Sequence, residues 1–384
     1  MSASRIITVV FLIFSFLVFY VWHLGKLTPG LSAAEVAARS SSVSIKRIVD
    51  DPINFPHKLM QFGAQKLGYH EAFSMRLSSV IIALLVLLCV FWLMRNWFGT
   101  TAGLAAGIFF ATTPLVVILA RNATADVMLL APAALAACYI RFSRREQSPQ
   151  RPWLLLLISV LVAIYIPGMI WIILAAGVVQ HKRLKTLLSK VSKNNLVLSI
   201  FLALILTAPL AYALFKNIYL YHELLLVPWH WDKPLVIAKS IGWSALALVW
   251  RTPYYSPLII GRLPLLDIVQ VCLMVFGSFV MYTRARREMS FIIGLVIFSV
   301  IASGINKNLT LLAICLPALA VLVGAGLRYL YVEWRNIFPR NPIPLSIAWL
   351  LIATLVGLQM AYGFRYTLVA WPHTPLTKQT YVLK

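Results

Sequence analysis

Long apolar runs separated by short basic segments extend along nearly the whole chain, and this alternation constrains the fold most. Each run approaches the 20 or so residues that a helix needs to cross a bilayer at about 1.5 Å per residue. Basic residues in short loops stay on the cytoplasmic side, so they predict a topology as well. The basic segments contain Arg144, Arg145, Arg151, Lys182, Arg183, Lys185, Lys190, Lys193, Arg284, Arg286, Arg287, Arg328, Arg335 and Arg340. The pattern predicts an all-α polytopic membrane protein.

The composition agrees with this class. Hydrophobic residues make up 61% of the chain, against roughly 45–50% in soluble domains. The excess of 34 Lys and Arg over 11 Asp and Glu would suggest nucleic acid in a soluble chain. Here cytoplasmic loops and anionic lipid headgroups explain it, so the bilayer is the expected partner and nucleic acid is not. The cysteines lie in apolar runs without a CxxC pair, which favours buried thiols over disulfides or zinc; they are Cys89, Cys138, Cys272 and Cys315.

Eleven transmembrane helices are predicted, with the N-terminus in the cytoplasm and the C-terminus outside. The first is 6–22, for which a cleaved signal peptide is the alternative. Pro167 and Gly168 divide the run 153–180 into two short helices, which keeps the basic loops 141–152 and 181–194 on one side. The remaining predicted spans are 77–94, 101–120, 127–143, 153–166, 167–180, 195–215, 264–283, 289–305, 309–331 and 344–362.

The predicted topology places two long loops and the C-terminal tail on the outer face. The first outer loop is 23–75, the second is 216–262, and the tail begins at residue 364. The second loop is rich in Tyr and Trp, which favour the headgroup layer, so we expect part of it to lie on the membrane surface. No repeat or linker divides the chain, and one domain, 1–384, without a large soluble domain is expected.

Several ionisable residues at the outer ends of the spans are not explained by hydrophobicity. Arg76 opens the second span, Arg121 and Asp126 flank a short link, and Lys307 lies in a tight turn. One interpretation is that these cations only extend towards water and that Arg121 pairs with Asp126. Together, however, cations and carboxylates on one face suit a phosphate-bearing lipid substrate, because guanidinium groups bind phosphate and a carboxylate accepts a proton.

Motifs between residues 76 and 141 carry a resemblance to a known superfamily. They are Arg76-Leu-Ser-Ser, Arg95-Asn-Trp-Phe-Gly, Pro114 and Arg121-Asn-Ala-Thr-Ala-Asp126, with a later segment from Asn306 through Pro317 to Gly326. This pattern resembles the GT-C glycosyltransferases, more narrowly the protein mannosyltransferase and aminoarabinose transferase superfamily. The resemblance implies a GT-C-like helical bundle with extracytoplasmic loop helices. It also implies a polyprenyl-phosphate sugar donor and a protein, lipid or glycan acceptor.

The resemblance also implies which residues form the site. In that superfamily the first outer loop normally carries an Asp-Glu pair whose Asp is the usual candidate base, whereas the matching place here reads Ala34-Glu35. The candidates for the catalytic base are therefore Glu35, Asp50 and Asp51. The donor phosphate and lipid are expected to bind Arg76, Arg121, Asp126, Arg251 and Lys307. No metal or cofactor is expected, because no histidine spacing suits zinc and no Walker or Rossmann motif is present.

The leading hypothesis is a membrane glycosyltransferase. A first-loop carboxylate would deprotonate the acceptor, which would displace the carrier phosphate with inversion at the anomeric carbon. One alternative is a non-catalytic relative that binds or flips a lipid-linked sugar, which the loss of the Asp at Ala34 favours. The other is a secondary transporter, although charges at the bilayer midplane are scarce. The expected location is a bacterial plasma membrane with the active face outside.

Overall fold

The computed structural model describes residues 13–69, 71–144, 150–339 and 341–383. Residues 6–12 of the first predicted span, Arg145 and Arg340 lie outside the described residues. The α-helices are α1 (Ala33–Ser41), α2 (Ile45–Asp50), α3 (Phe55–Lys66), α4 (Ala72–Phe98), α5 (Thr100–Thr112), α6 (Pro114–Arg121), α7 (Pro132–Arg144), α8 (Gln150–Ala163), α9 (Met169–Val179), α10 (His181–Leu188), α11 (Lys193–Lys216), α12 (Leu220–Leu224), α13 (Pro234–Val249), α14 (Ile268–Arg284), α15 (Arg286–Asn306), α16 (Leu316–Ile337), α17 (Pro342–Phe364) and α18 (Pro375–Thr380). Shorter 3-10 or π-helical segments are Leu17–Val21, Ala125–Leu130, Leu309–Cys315, Arg365–Ala370 and Trp371–His373.

The centre of the bundle is the span Leu309–Ile337, whose most apolar window is 89% buried inside the protein. It packs closely against α14, because glycines stand where the two backbones meet. A Cβ atom on Gly326 would overlap the Leu273 carbonyl oxygen, and one on Gly277 would overlap that of Leu322. Small residues allow such close approach between helices in a bilayer, where apolar side chains gain little by leaving lipid.

Six helices are long and apolar enough to cross a bilayer, or seven if the bent pair α5 and α6 forms one span, among the described residues. Within the same residues, four further helices are apolar but shorter. Of these, α8, α9 and α14 coincide with three predicted spans, whereas α13 lies in the second outer loop. The all-α membrane class is therefore confirmed. The total of eleven spans and the cytoplasmic N-terminus stay predictions.

Two breaks within apolar runs have local causes. Helix α8 ends at Ala163 and α9 begins at Met169, with Gly168 at a φ of +75° that favours glycine. The break predicted at Pro167-Gly168 is confirmed. The predicted single span 101–120 is instead bent by 64° between α5 and α6. Pro114 opens α6 and has no backbone N–H to continue the hydrogen bonds of α5.

The segments predicted to share the outer face meet at one end of the bundle. Leu31 of the first outer loop pairs with Leu383 of the tail, and the Trp371 indole donates to the Pro257 carbonyl at 2.7 Å. The second outer loop contains the 16-residue helix α13, and its expected position at the membrane surface stays a prediction. That helix packs on α15, where a Cβ on Gly304 would lie 2.6 Å from the Ile241 Cα.

Candidate functional site

The first outer loop folds into α1, α2 and α3, and the start of α1 fixes the position of Glu35. Ser32 is the N-cap of α1: its hydroxyl accepts from the Glu35 N–H at 3.2 Å, while the Glu35 carboxylate accepts from the Ser32 N–H at 2.9 Å. This reciprocal arrangement is the capping box that a Ser-x-x-Glu sequence favours. It turns Glu35 back towards the start of the helix and into the bundle.

Glu35 forms a buried ion pair with Arg76 at the start of α4. Arg76 Nε lies 2.8 Å from Glu35 Oε1, and Arg76 Nη2 lies 3.1 Å from Oε2. The Ala123 N–H also donates to Oε1 at 2.9 Å. Glu35 is 0% exposed and Arg76 2%. Each carboxylate oxygen thus accepts two hydrogen bonds, so Glu35 is saturated by protein donors.

Arg121 is buried too, but it does not pair with Asp126. Its guanidinium donates to the carbonyls of Phe19 and Trp22, at 3.0 and 2.8 Å, at the end of the π-helical turn. Cations are favourable at such carbonyl ends. Arg121 therefore anchors the turn from Phe19 to Trp22, and the pairing with Asp126 considered from the sequence is absent. The direct roles predicted for Glu35 and Arg121 stay predictions, and this bonding disfavours them.

Hydrogen bonds from distant parts of the chain hold the link between α6 and the 3-10 turn that follows it, which contains Asp126. The Ala123 carbonyl accepts from Gln61 Nε2 at 2.7 Å, and the Asn122 side chain accepts from the Tyr381 hydroxyl at 3.0 Å. Asp126 itself accepts from the Thr124 hydroxyl at 2.9 Å. Asp126 therefore follows a link that tertiary hydrogen bonds join to the first outer loop and to the tail.

Asp51 and Lys58 form a second, more accessible ion pair in the first outer loop. Lys58 Nζ lies 2.6 Å from Asp51 Oδ2 and donates to the Asp51 backbone carbonyl at 2.8 Å. The Asp51 side chain is 44% exposed, whereas that of Lys58 is 11% exposed. An ammonium group has three N–H donors, so two contacts leave one Lys58 donor for another partner.

A cavity of about 500 Å³ lies beside the start of the second outer loop. Its wall includes one titratable acid among the described residues, Glu223 on α12; the lining residues are Asn217, Tyr219, Leu220, Glu223 and Trp229. Burial raises the pKa of Glu223, and the nearby carboxylates of Asp51 and Asp126 raise it further, while Lys58 lowers it. The charges of Asp51, Lys58 and Asp126 therefore act on Glu223, and we call these four residues the acidic group.

The other residues predicted from the sequence lie outside the acidic group. Asp50 pairs with Lys216 at 2.6 Å, which ties α2 to the end of α11. Lys307 pairs with Asp232 at 2.6 Å, and both side chains are exposed. Arg251 is exposed just after α13, and no ion pair of its side chain is found within the described parts of the chain.

His57 lies next to Lys58 and is fully buried. Its Nε2 atom lies 2.9 Å from the Ser79 hydroxyl. Burial, assisted by the charge of Lys58, lowers the pKa of His57 to about 3. The imidazole is therefore neutral at physiological pH and is unsuited to phosphate charge neutralisation. In the described ranges no group of three His, Cys, Asp or Glu side chains could hold a metal ion.

Lys58 and Glu223 were not predicted from the sequence, and neither was Gln61, whose amide donates to the Ala123 carbonyl. Lys58 ends the segment Asp51-Pro52-Ile-Asn-Phe-Pro56-His57-Lys58 of the first outer loop. The Ser32-x-x-Glu35 capping box was readable, and it indicates that Glu35 turns back towards its own helix start. Nothing local marks Glu223, whose neighbours come from distant parts of the chain.

The same architecture occurs in known proteins. A family model described as dolichyl-phosphate-mannose-protein mannosyltransferase matches residues 56–213, less than half of the chain. ArnT from Cupriavidus metallidurans in the apo state superposes with a TM-score of 0.64 at 15% identity, over 97% of this chain and 78% of ArnT. The same protein bound to undecaprenyl phosphate gives a TM-score of 0.59, again at 15% identity over 97% of this chain and 78% of that chain.

A third similar structure is the archaeal oligosaccharyltransferase AglB from Archaeoglobus fulgidus, in complex with an inhibitory peptide and a dolichol-phosphate. Its TM-score is 0.53 at 14% identity, over 100% of this chain and 56% of AglB. No curated protein matches the chain by sequence. ArnT and AglB are GT-C glycosyltransferases. The resemblance to the GT-C superfamily is therefore confirmed at the level of the fold.

Proposed function

We propose that the protein transfers a sugar from a polyprenyl-phosphate donor to an acceptor that enters the cavity beside Glu223. One observation carries the proposal: an accessible carboxylate on the cavity wall is coupled to Asp51, Asp126 and Lys58. The structures that share the fold support the donor class, since one is of ArnT bound to undecaprenyl phosphate and another is of AglB with a dolichol-phosphate. We place the reaction on the extracytoplasmic face of a bacterial plasma membrane.

Glu223 is the proposed general base. A base works best when its pKa approaches the working pH, and partial burial together with two neighbouring carboxylates raises the pKa of Glu223 in that direction. The carboxylate would take a proton from the acceptor nucleophile as that atom attacks the anomeric carbon. The new glycosidic bond forms as the bond to the carrier phosphate breaks, and the configuration at the anomeric carbon inverts.

Lys58 is the proposed partner of the leaving phosphate. The phosphate gains negative charge as its bond to the sugar breaks, and a positioned cation stabilises that charge most in the transition state. Asp51 holds the ammonium group through its carboxylate and its carbonyl, which leaves the third N–H for a phosphate oxygen. We assign Arg76 and Arg121 to the support of the site, since their donors already bind protein oxygens.

This assignment explains how the site works without the Asp that the resemblance leads one to expect before Glu35. Ala34 cannot accept a proton, and Glu35 is saturated within the buried pair. The proposed base comes from a different loop, on the short helix α12, and it faces the same group of charges through Asp51 and Asp126.

The test measures release of free polyprenyl phosphate by the purified protein in nanodiscs, with a panel of undecaprenyl-phosphate sugars as donors and with an added glycan or water as the nucleophile that receives the sugar. Glu223→Gln should lower turnover by about 10²–10⁴-fold, the usual cost of removing a general base. Glu333→Gln, the same chemical change near the end of α16, is the matched control and should leave turnover intact. Full activity of Glu223→Gln, with loss in Asp51→Asn, would instead make Asp51 the base.

A second candidate is a protein that binds or flips a lipid-linked sugar without transferring it. The observation in its favour is that Ala34 replaces the expected Asp while Glu35 is bonded within the bundle. Under this candidate the unmodified protein would bind the donors with no release of polyprenyl phosphate, and Glu223→Gln would not change that result. Release of polyprenyl phosphate that depends on Glu223 excludes this second candidate.

A further inference from the structure

Four aromatic rings stack in series beside the cavity, in the order Tyr221, His222, Trp229 and Tyr219. The His222 and Trp229 rings have centroids 4.1 Å apart and planes 18° apart. Trp229 and Tyr219 continue the stack at 5.8 Å and 29°. Trp229 and Tyr219 also line the cavity, and they are 64% and 62% exposed. The cavity therefore has an aromatic wall with accessible ring surface.

The loop that carries these rings is fixed to the bundle. Three successive carbonyls accept hydrogen bonds from other elements: Leu224 from the Gly168 N–H at 2.8 Å, Leu225 from the Trp171 indole at 2.9 Å, and Leu226 from the Asn306 amide at 3.1 Å. Binding to a rigid aromatic surface costs little conformational entropy, so the wall is preorganised for a ligand.

The polar groups on the same wall indicate the chemical class of the ligand. Asn217 accepts from the Tyr219 N–H through its amide oxygen at 3.2 Å, and Glu223 supplies a carboxylate. A sugar ring offers an apolar C–H face to an aromatic plane and hydroxyl groups to amides and carboxylates. The volume, about 500 Å³, falls within the roughly 300–1,000 Å³ of small-ligand pockets.

We propose that the Tyr219–Trp229 wall is a sugar-binding subsite, in which a pyranose ring packs on the exposed ring surface of these two side chains while Asn217 and Glu223 bind its hydroxyls. The proposal rests on the proposed function, because it places a substrate sugar beside the base. That sugar belongs either to the lipid-linked donor or to a glycan acceptor, and both present the same ring chemistry.

The first experiment measures binding alone, by saturation-transfer NMR of the full chain in nanodiscs with methyl glycosides of mannose, glucose, galactose and N-acetylglucosamine. The unmodified protein should transfer saturation to C–H protons on one face of at least one sugar. Trp229→Ala should weaken sugar binding by about tenfold, in line with the free energy that one aromatic ring contact contributes. Trp250→Ala is the matched control, since Trp250 is 73% exposed but does not line the cavity.

The second experiment separates the two sources of the sugar and uses Trp229→Ala in the nanodisc transfer assay. A rise in the KM for donor, measured by release of polyprenyl phosphate when water replaces the acceptor and hydrolyses the donor, assigns the wall to the donor sugar. A rise only in the KM for a glycan acceptor assigns it to the acceptor. Sugar binding without any transfer would refute the proposed function but keep the subsite. Absence of saturation transfer to every sugar, or an equal loss in Trp250→Ala, overturns the subsite.

Discussion

Two groups of charged side chains lie near each other at one end of the bundle, and the protein holds them differently. Glu35 and Arg76 are fully buried, and every carboxylate oxygen has two protein donors. In the acidic group, Asp51 is 44% exposed and Glu223 faces a cavity. The first group joins distant segments of the chain, whereas the second retains capacity for a ligand.

The difference shows that charge alone does not identify a reactive residue at a membrane interface. A saturated buried pair is costly to disturb, because removing one partner leaves an uncompensated charge. An accessible carboxylate next to other carboxylates instead gains a pKa closer to the working pH. We therefore expect substitutions in the first group to lower the stability of the protein, and substitutions in the second group to lower turnover.

The largest expected effect is on stability, from Glu35→Gln. This change removes the charge that compensates Arg76, and breaking a buried ion pair costs about 3–5 kcal/mol. The measurement is thermal unfolding of the purified protein in detergent, together with the yield of folded protein. Replacement of both partners, Glu35→Leu with Arg76→Met, is the control and should cost less, because no unpaired charge remains. A stable, folded Glu35→Gln protein without turnover would return the catalytic role to Glu35.

The next effect is kinetic and concerns Lys58. Lys58→Met should raise the KM for donor and lower turnover, by a combined factor of about 10–150, because one hydrogen bond to a charged group is worth about 1.5–3 kcal/mol. Thermal unfolding should show a smaller change than in Glu35→Gln, since Asp51 remains accessible to water. An unchanged KM and turnover would remove Lys58 from the phosphate site and weaken the contrast between the two groups.

Most of the fold was predictable from the sequence, because hydrophobic run length decides where membrane helices lie. The break at Pro167-Gly168 was also predictable, because proline and glycine disfavour a continuous helix at that point. The bend before Pro114 was readable too but was not predicted, and α13 was missed because Lys239 interrupts its apolar run.

The site was predictable only in part. Asp51 was selected as a candidate base and Asp126 as a donor residue, and both roles stay predictions, whereas their electrostatic effect on Glu223 links residues more than 90 positions apart. The local sequence also gives no sign that Arg76 forms an ion pair with Glu35, which lies 41 residues earlier. Whether a charged side chain has all its hydrogen bonds within the protein depends on tertiary contacts. Structural and reactive charges can therefore be distinguished only once the structure is known.

The pH dependence of turnover offers a finer test of the acidic group. Glu223 must be ionised to act as a base, so turnover should fall as the pH drops through its raised pKa, above the ordinary value for Glu of about 4.3. Asp51→Asn removes a charge that raises this pKa and should move the acid limb to lower pH, whereas Lys58→Met should move it to higher pH. Shifts in the same direction in both variants would show that another group titrates.

The smallest effect is expected at Lys307, which the sequence placed at the donor phosphate. Its ion pair with Asp232 is exposed at both partners, 53% and 41%, and exposed pairs contribute about 0–1 kcal/mol after solvent screening. Lys307→Gln should therefore change the melting temperature little and leave the KM for donor near that of the unmodified protein, in contrast to Lys58→Met in the same assay. The physical reason is that water already surrounds this ammonium group, so a phosphate there would gain little over its own hydration. A rise in the KM for donor as large as that of Lys58→Met would place the phosphate near Lys307. It would also show that an exposed cation, and not the buried one beside Asp51, neutralises the leaving group.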